Sequence, residues 1–261
     1  MFKGKVAVVT GAGQGLGQGI AAALFHQGAS VLLADLNGEM VARVAAELMS
    51  GAGSALEGRR AIAKHLDVSR QADMVDLFEA VASQFGRVDI MVNNAGIISK
   101  APALELTEAQ FQSVLDVNLK GVLFGCQEAA KLMMNQGGGS IINIASIAAH
   151  SSSPGSAAYS VSKSAVLALT RIMAVEWGQY GIRVNSVSPT GVATAMGLKL
   201  IEANPEAFAR RARRVPIARE ATVEDVVNAV LFFAADGSAY VTGRDILVDG
   251  GLMLQNPGFV T

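Results

Sequence analysis

Val6-Ala7-Val8-Val9-Thr10-Gly11-Ala12-Gly13-Gln14-Gly15-Leu16-Gly17 is the stretch whose reading decides the fold. A short β-branched run breaks into a glycine-rich turn, and an Ala-rich helical stretch, Gly15 to Gln27, follows at once. In that context the glycines have a physical use. They let the backbone turn tightly and approach a pyrophosphate, while the free amides and positive end of the new helix attract its charge. Gly11, Gln14, Gly15, Leu16 and Gly17 are therefore candidate nucleotide-binding positions.

The same alternation continues outward. Apolar runs at Val31 to Ala34, Ala61 to Leu66, Ile90 to Val92, Ser140 to Ile144, Arg183 to Val187 and Ile246 to Val248 bring the strand count to seven. Most are continuously apolar, as strands covered on both faces are. Helical patterns fall between them at Glu39 to Met49, Gln71 to Gln84, Glu108 to Asn135, Ala158 to Tyr180 and Val223 to Ala234. Repeated strand-helix-strand units with right-handed crossovers predict an α/β fold, a doubly wound seven-stranded parallel sheet of the Rossmann type. No linker or repeat divides the 261 residues, so one domain over 1–261 is expected, with an insertion at about 191–219 placed to cover a substrate.

Composition narrows the partners. With 21 basic and 22 acidic residues there is no global attraction to nucleic acid or to an anionic membrane. Three scattered histidines, His26, His65 and His150, give no metal-ligand spacing, so no metal is expected. The one cysteine, Cys126, allows no internal disulfide, which fits a cytoplasmic setting. No spanning or leader segment is read from the pattern. Hydrophobic residues make up 51% against 16% charged, a composition that points to burial between subunits.

At the end of the second strand, Asp35 can accept hydrogen bonds from adenosine ribose hydroxyls and would repel a 2′-phosphate; neither Gln14 nor Leu36 supplies a compensating cation. NAD is the cofactor this favours. Asp67 and Val68, ending the third strand, are placed for an adenine edge, or Asp67 caps the next helix. Far downstream, Tyr159 and Lys163 are one helical turn apart. An ammonium at that spacing is expected to lower the phenol's pKa and make Tyr159 an acid and base.

These motifs, with Asn93-Asn94-Ala95-Gly96, Ser146 and Val248-Asp249-Gly250-Gly251, resemble the short-chain dehydrogenase/reductase family from Lys5 to Gly251. The resemblance implies that Tyr159 is the general acid/base, that Lys163 also holds the nicotinamide ribose, that Ser146 orients the substrate oxygen and that Asn118 holds a proton-relay water. It further implies that Asn94 and Gly96 flank the adenosine ribose and that Val192 and Thr194 meet the nicotinamide carboxamide. Two departures from the family pattern stand out: Thr190 where Pro-Gly is usual, and Ala218 where glycine commonly precedes Arg219.

The implied activity is NAD-dependent interconversion of a secondary alcohol and a ketone. Ala148, His150, Thr190, Met196 and Leu200 are the candidate substrate-pocket positions, and their character suggests an apolar or cyclic substrate. One alternative is a 3-oxoacyl-thioester reductase whose basic run Arg210 to Arg214 meets an acidic carrier. Another is a non-catalytic NAD sensor or scaffold. Family resemblance also implies a homotetramer.

Overall fold

The computed structural model describes residues 1–52, 58–192 and 214–254. Within them lie β1 (Val6–Thr10), β2 (Ser30–Asp35), β3 (Ala61–His65), β4 (Ile90–Asn93), β5 (Gly139–Ile144), β6 (Ile182–Pro189) and β7 (Asp245–Val248). All pair in parallel, in the order β3-β2-β1-β4-β5-β6-β7. The chain starts in the middle, winds outward through β2 and β3, then returns to place β4 against the other side of β1. That reversal opens a crevice at the carboxyl ends of β1 and β4.

Each apolar run of the sequence became a strand, because covering helices need both faces. Alternate residues divide between two cores. Ala7, Val9, Val31 and Leu33 pack on one face with Leu24 and Phe25 of α1 (Gly15–His26), Val41 of α2 (Gly38–Ala52) and Phe233 of α7 (Val223–Ala234). Val8, Leu32 and Met91 pack on the other with Leu77 of α3 (Gln71–Phe85), Met133 of α5 (Gly121–Asn135) and Val166 of α6 (Ala157–Trp177). Emptying a site such as Phe25 or Phe233 would cost ~3–5 kcal/mol. Among the described residues no helix is long and apolar enough to cross a membrane.

The β1–β4 seam is stapled at both ends. At the amino end the buried Asp89 carboxylate accepts Val6 N at 2.8 Å and a bidentate grip from Arg87 at 3.0 and 2.6 Å. At the carboxyl end the Thr10 hydroxyl accepts the amides of Asn94 at 3.1 Å and Ala95 at 3.2 Å. The Asn94 amide group donates back to the carbonyls of Thr10 and Gly11. One strand further, Cys126 of α5 is buried between Asn93 and Asn143, and burial pushes its thiol up to about 12.

Two details differ from the sequence expectation. The single helix predicted over Glu108 to Asn135 is α4 (Glu108–Leu115) followed by a π turn at Asp116–Lys120 before α5. Ala218 is the one non-glycine residue among those described with a positive φ, +57°. It closes the turn in which Ala218 N reaches Val215 O at 2.7 Å, so glycine's usual presence there has a steric cause. Ala218→Gly should stabilise the chain by about 0.5–1 kcal/mol after the added unfolded-state entropy is deducted. Thermal melts should show a midpoint raised by about 1–3 °C.

Candidate active site

The crevice holds a cavity of about 620 Å³. Gly11, Gln14, Gly15, Leu16 and Gly17 line one side, Asp35, Asp67 and Val68 another, and Asn94 and Gly96 the wall formed after β4. Gly17 shows why no side chain is tolerated here: a Cβ on it would lie 2.0 Å from Gly11 O. The N-cap of α1, Gln14, makes no side-chain cap bond, so the first amides of the helix face the cavity without an internal acceptor. These features fit a dinucleotide: a cradle that a Cβ would fill, beneath an uncapped helix end.

At the far end, Asp35 is fixed by its own surroundings. Its Oδ2 accepts Gly13 N and its Oδ1 accepts Asn37 N, both at 2.9 Å, leaving each oxygen further acceptor capacity for ribose hydroxyls. Asp67 lines the cavity but also caps the turn into α3, with Oδ1 accepting Ser69 N at 3.0 Å and Ser69 Oγ at 2.7 Å. Arg43 was missed by the sequence reading. It lines the same cavity beside Leu36 and Met40, where its spacing of three from Met40 on α2 puts both on one face. An exposed ion pair with Glu47 at 3.8 Å holds it only loosely.

Gly96 joins this cavity to Asn118 and Lys163. A Cβ there would sit 3.3 Å from Asn118 Oδ1 and 3.6 Å from Lys163 Nζ. The π turn carries Asn118 inward, where it is fully buried. Its Oδ1 accepts Ile97 N at 2.8 Å, and its Nδ2 donates to Ile97 O at 2.9 Å and to Ser162 Oγ at 3.1 Å. Ser162 in turn donates to Tyr159 O at 2.7 Å. Asn118 thus locks the loop after β4 to the helix that carries Tyr159 and Lys163.

Ser146 follows β5 and caps a one-turn 3₁₀ helix, Ile147–Ala149, its Oγ accepting Ala148 N at 3.1 Å. Its hydroxyl also interacts with the Tyr159 phenol. Lys163 is buried, donates to Ile144 O at 2.7 Å and lies 5.8 Å from the centroid of the Tyr159 ring.

The expected direction of tuning is corrected here. Burial raises the Tyr159 phenol above its ordinary value, and only the Ser146 hydrogen bond pulls against it. No lowering from Lys163 offsets that burial: its ammonium, itself brought down to about 8 by desolvation, directs one N–H at Ile144 O.

The substrate positions separate. Ala148 is half-buried at the 3₁₀ turn, and Thr190 is buried with its amide on Val248 O at 3.1 Å, extending β6 alongside β7. His150 does not join the cofactor cavity; its ring is paired with Asp245. Val192 bridges to Ala221. Thr194, Met196, Leu200 and Arg210 to Arg213 lie outside the described residues, leaving Arg214 as the one described member of the basic run.

Residues 11–253 match the family model described as enoyl-(acyl carrier protein) reductase. The chain belongs to the short-chain dehydrogenase/reductase family. This short-chain dehydrogenase/reductase is 39% identical over 252 residues to D-threitol dehydrogenase of Mycolicibacterium smegmatis, covering 97% of the chain and 94% of the relative. It is 38% identical over 260 residues to a mitochondrial borneol dehydrogenase of Lavandula x intermedia, covering 98% and 93%. A solved gluconate 5-dehydrogenase from Burkholderia cenocepacia, in complex with NADP and tartrate, superposes with a TM-score of 0.89 at 32% identity, covering 97% of each chain.

Two outcomes follow from this geometry in the short-chain dehydrogenase/reductase. Gly17→Ala forces a Cβ against the Gly11 carbonyl and should abolish binding of a reduced nicotinamide cofactor, read by fluorescence, while lowering the melting temperature. Lys163 binds its proton less tightly when folded, so the unfolded chain holds more protons between pH about 8 and 10.5, and stability rises with pH across that window. Below it, the buried ammonium costs about 3 kcal/mol. Lys163→Met should therefore melt higher than the parent at pH 7, with the gap narrowing by pH 10.

Proposed function

We propose that this protein is an NAD-dependent oxidoreductase interconverting a secondary alcohol and a ketone. The observation that carries the reading is a connected set of side chains beginning where the cavity ends: Asn118 and Lys163 meet at Gly96, on the wall of a cavity whose other end is Asp35, Lys163 lies beside the Tyr159 ring, and Tyr159 meets Ser146. A bound nicotinamide supplies the hydride chemistry. The chain's own residues handle the proton and the orientation. Ser146 accepts Ala148 N on one lone pair, so its hydroxyl proton is aimed away from that amide, toward the Tyr159 phenol and the place where the two would share the substrate oxygen. Tyr159 gives the proton to that oxygen in reduction and takes it in oxidation. Lys163, beside Gly96, is placed to hold the nicotinamide ribose, and Asn118 to hold a water that passes protons outward.

Asp35 supports NAD, since a 2′-phosphate would meet its carboxylate. Arg43 supplies a specific reason to test NADP beside it. For the substrate, the apolar surface of Ile97 and Ile98, 41% and 64% exposed on the strand-β4 loop, favours an apolar or cyclic alcohol. The relatives' names span both a linear polyol and a cyclic terpenoid alcohol, so both belong in an assay panel. A homotetramer is supported by the apolar stripe Val161, Ile172 and Val175 along α6, the last 84% exposed. The lone Cys126 agrees with a cytoplasmic setting.

Tyr159→Phe should reduce turnover by at least about 10³-fold while NADH still binds, and a fully active variant would sink the mechanism. Because burial holds the phenol proton, alcohol oxidation should accelerate as pH rises through the alkaline range, while ketone reduction falls. Turnover with NADH and NADPH, compared directly, tests Asp35's preference. Light scattering at micromolar concentration should return four times the monomer mass.

A further inference from the structure

His150, four residues beyond Ser146, reaches across to the first residue of β7. Its Nε2 lies 2.8 Å from Asp245 Oδ2, a contact between residues 95 apart in sequence. Asp245 is prepared for this partner. Its Oδ1 already accepts Ser186 Oγ at 2.6 Å and Ser188 Oγ at 3.0 Å, from two buried serines on β6. Only Oδ2 is left for the imidazole. A carboxylate accepts and does not donate, so Nε2 carries the proton. Ser188 Oγ, whose own proton goes to Asp245, lies 3.4 Å from the same nitrogen and is its secondary acceptor. The side chains of His150 and Asp245 are 29% and 16% exposed, so the carboxylate is the better covered partner and the imidazole is reached by solvent from one side.

Between this pair and Ser146 lies one turn of 3₁₀ helix and little else. Ala149 N and His150 N bond back to the carbonyls of Ser146 and Ile147, both at 2.9 Å. Ser164 Oγ holds Ala149 O at 3.1 Å. A single 3₁₀ turn has little stability of its own and depends on what holds its ends. Its first amide pair matters chemically, because Ala148 N occupies the Ser146 oxygen from one side and thereby sends the hydroxyl proton toward the other.

We propose that His150 is a positioning residue: latched to Asp245, it holds the Ile147–Ala149 turn so that Ala148 N fixes the direction in which Ser146 offers its hydroxyl to the substrate oxygen. The latch rests on the role of Ser146 given under the proposed function, but part of its test is independent of turnover.

His150→Ala should release the end of the turn. Amide hydrogen exchange at Ala148 should quicken by roughly tenfold. In the same variant kcat should fall by roughly tenfold to a hundredfold, with KM, NADH affinity and melting temperature close to those of the parent. His150→Gln, whose Nε2 can still donate to Asp245, should restore both readouts. Asp245→Ala should repeat the loss of kcat, since the imidazole then has no acceptor on β7 to reach. If Ala148 exchange and kcat of His150→Ala match the parent within about twofold, or if the glutamine variant fares no better than the alanine, the latch is refuted. A tie that served stability alone would lower the melting temperature and leave kcat unchanged, which also refutes it. Should the parent protein turn over no alcohol or ketone, the proposed function falls, while exchange at Ala148 still decides the latch.

Discussion

Thr10 and Asn94 close the seam on which the working end of this molecule depends. The order in which strands are added reverses between β1 and β4, and no connecting loop links these two parallel strands directly. Their carboxyl ends are held together instead by four hydrogen bonds: the Thr10 hydroxyl accepts the backbone amides of Asn94 and Ala95, and the Asn94 side chain donates to the carbonyls of Thr10 and Gly11. The glycine loop starts one residue after Thr10, and Gly96 comes two residues after Asn94. Any drift of the seam would change the width of the cradle and shift Gly96 against Asn118 and Lys163. Asp89 performs the same service at the opposite edge, where a buried carboxylate is tolerable because Arg87, Lys5 and an amide surround it.

From that seam the site is organised as two ends with opposite electrical needs. At the nucleotide end, backbone amides and an uncapped helix start favour negative charge. At the other end a buried lysine and a buried phenol both resist ionising, each for the same reason of desolvation. Their tuning is therefore incomplete in the protein groups alone. The Ser146 hydroxyl is the one side chain that eases the phenol's ionisation, which makes the orientation of that hydroxyl an electrostatic matter as well as a geometric one.

What could be read from sequence divides along physical lines. The strands were legible because burial on both faces leaves continuous apolar runs, and the glycine loop because its position between β1 and α1 gives each glycine a steric meaning. Tyr159 and Lys163 were legible as a spacing, although the net direction of the phenol's shift was not, since a spacing contains no information about desolvation. The π turn at Asn118 escaped because the apolar period of Glu108 to Asn135 runs through it without a break. Arg43 needed the curvature of the cavity wall to be seen. The partner of His150 was out of reach of the sequence, since nothing near residue 150 announces a carboxylate on the last strand. Ala218 was visible as a departure from the family pattern, but only the backbone angle explains it.

Cys126 gives the fold a built-in clock. A thiol pushed up to about 12 and enclosed between two asparagines is almost wholly protonated at neutral pH and out of reach of an alkylating reagent. Labelling can proceed only when α5 lifts from β4 and β5. Because this is the sole cysteine of the chain, the labelling rate measures how often that one layer opens, with no engineered probe and no background from other thiols.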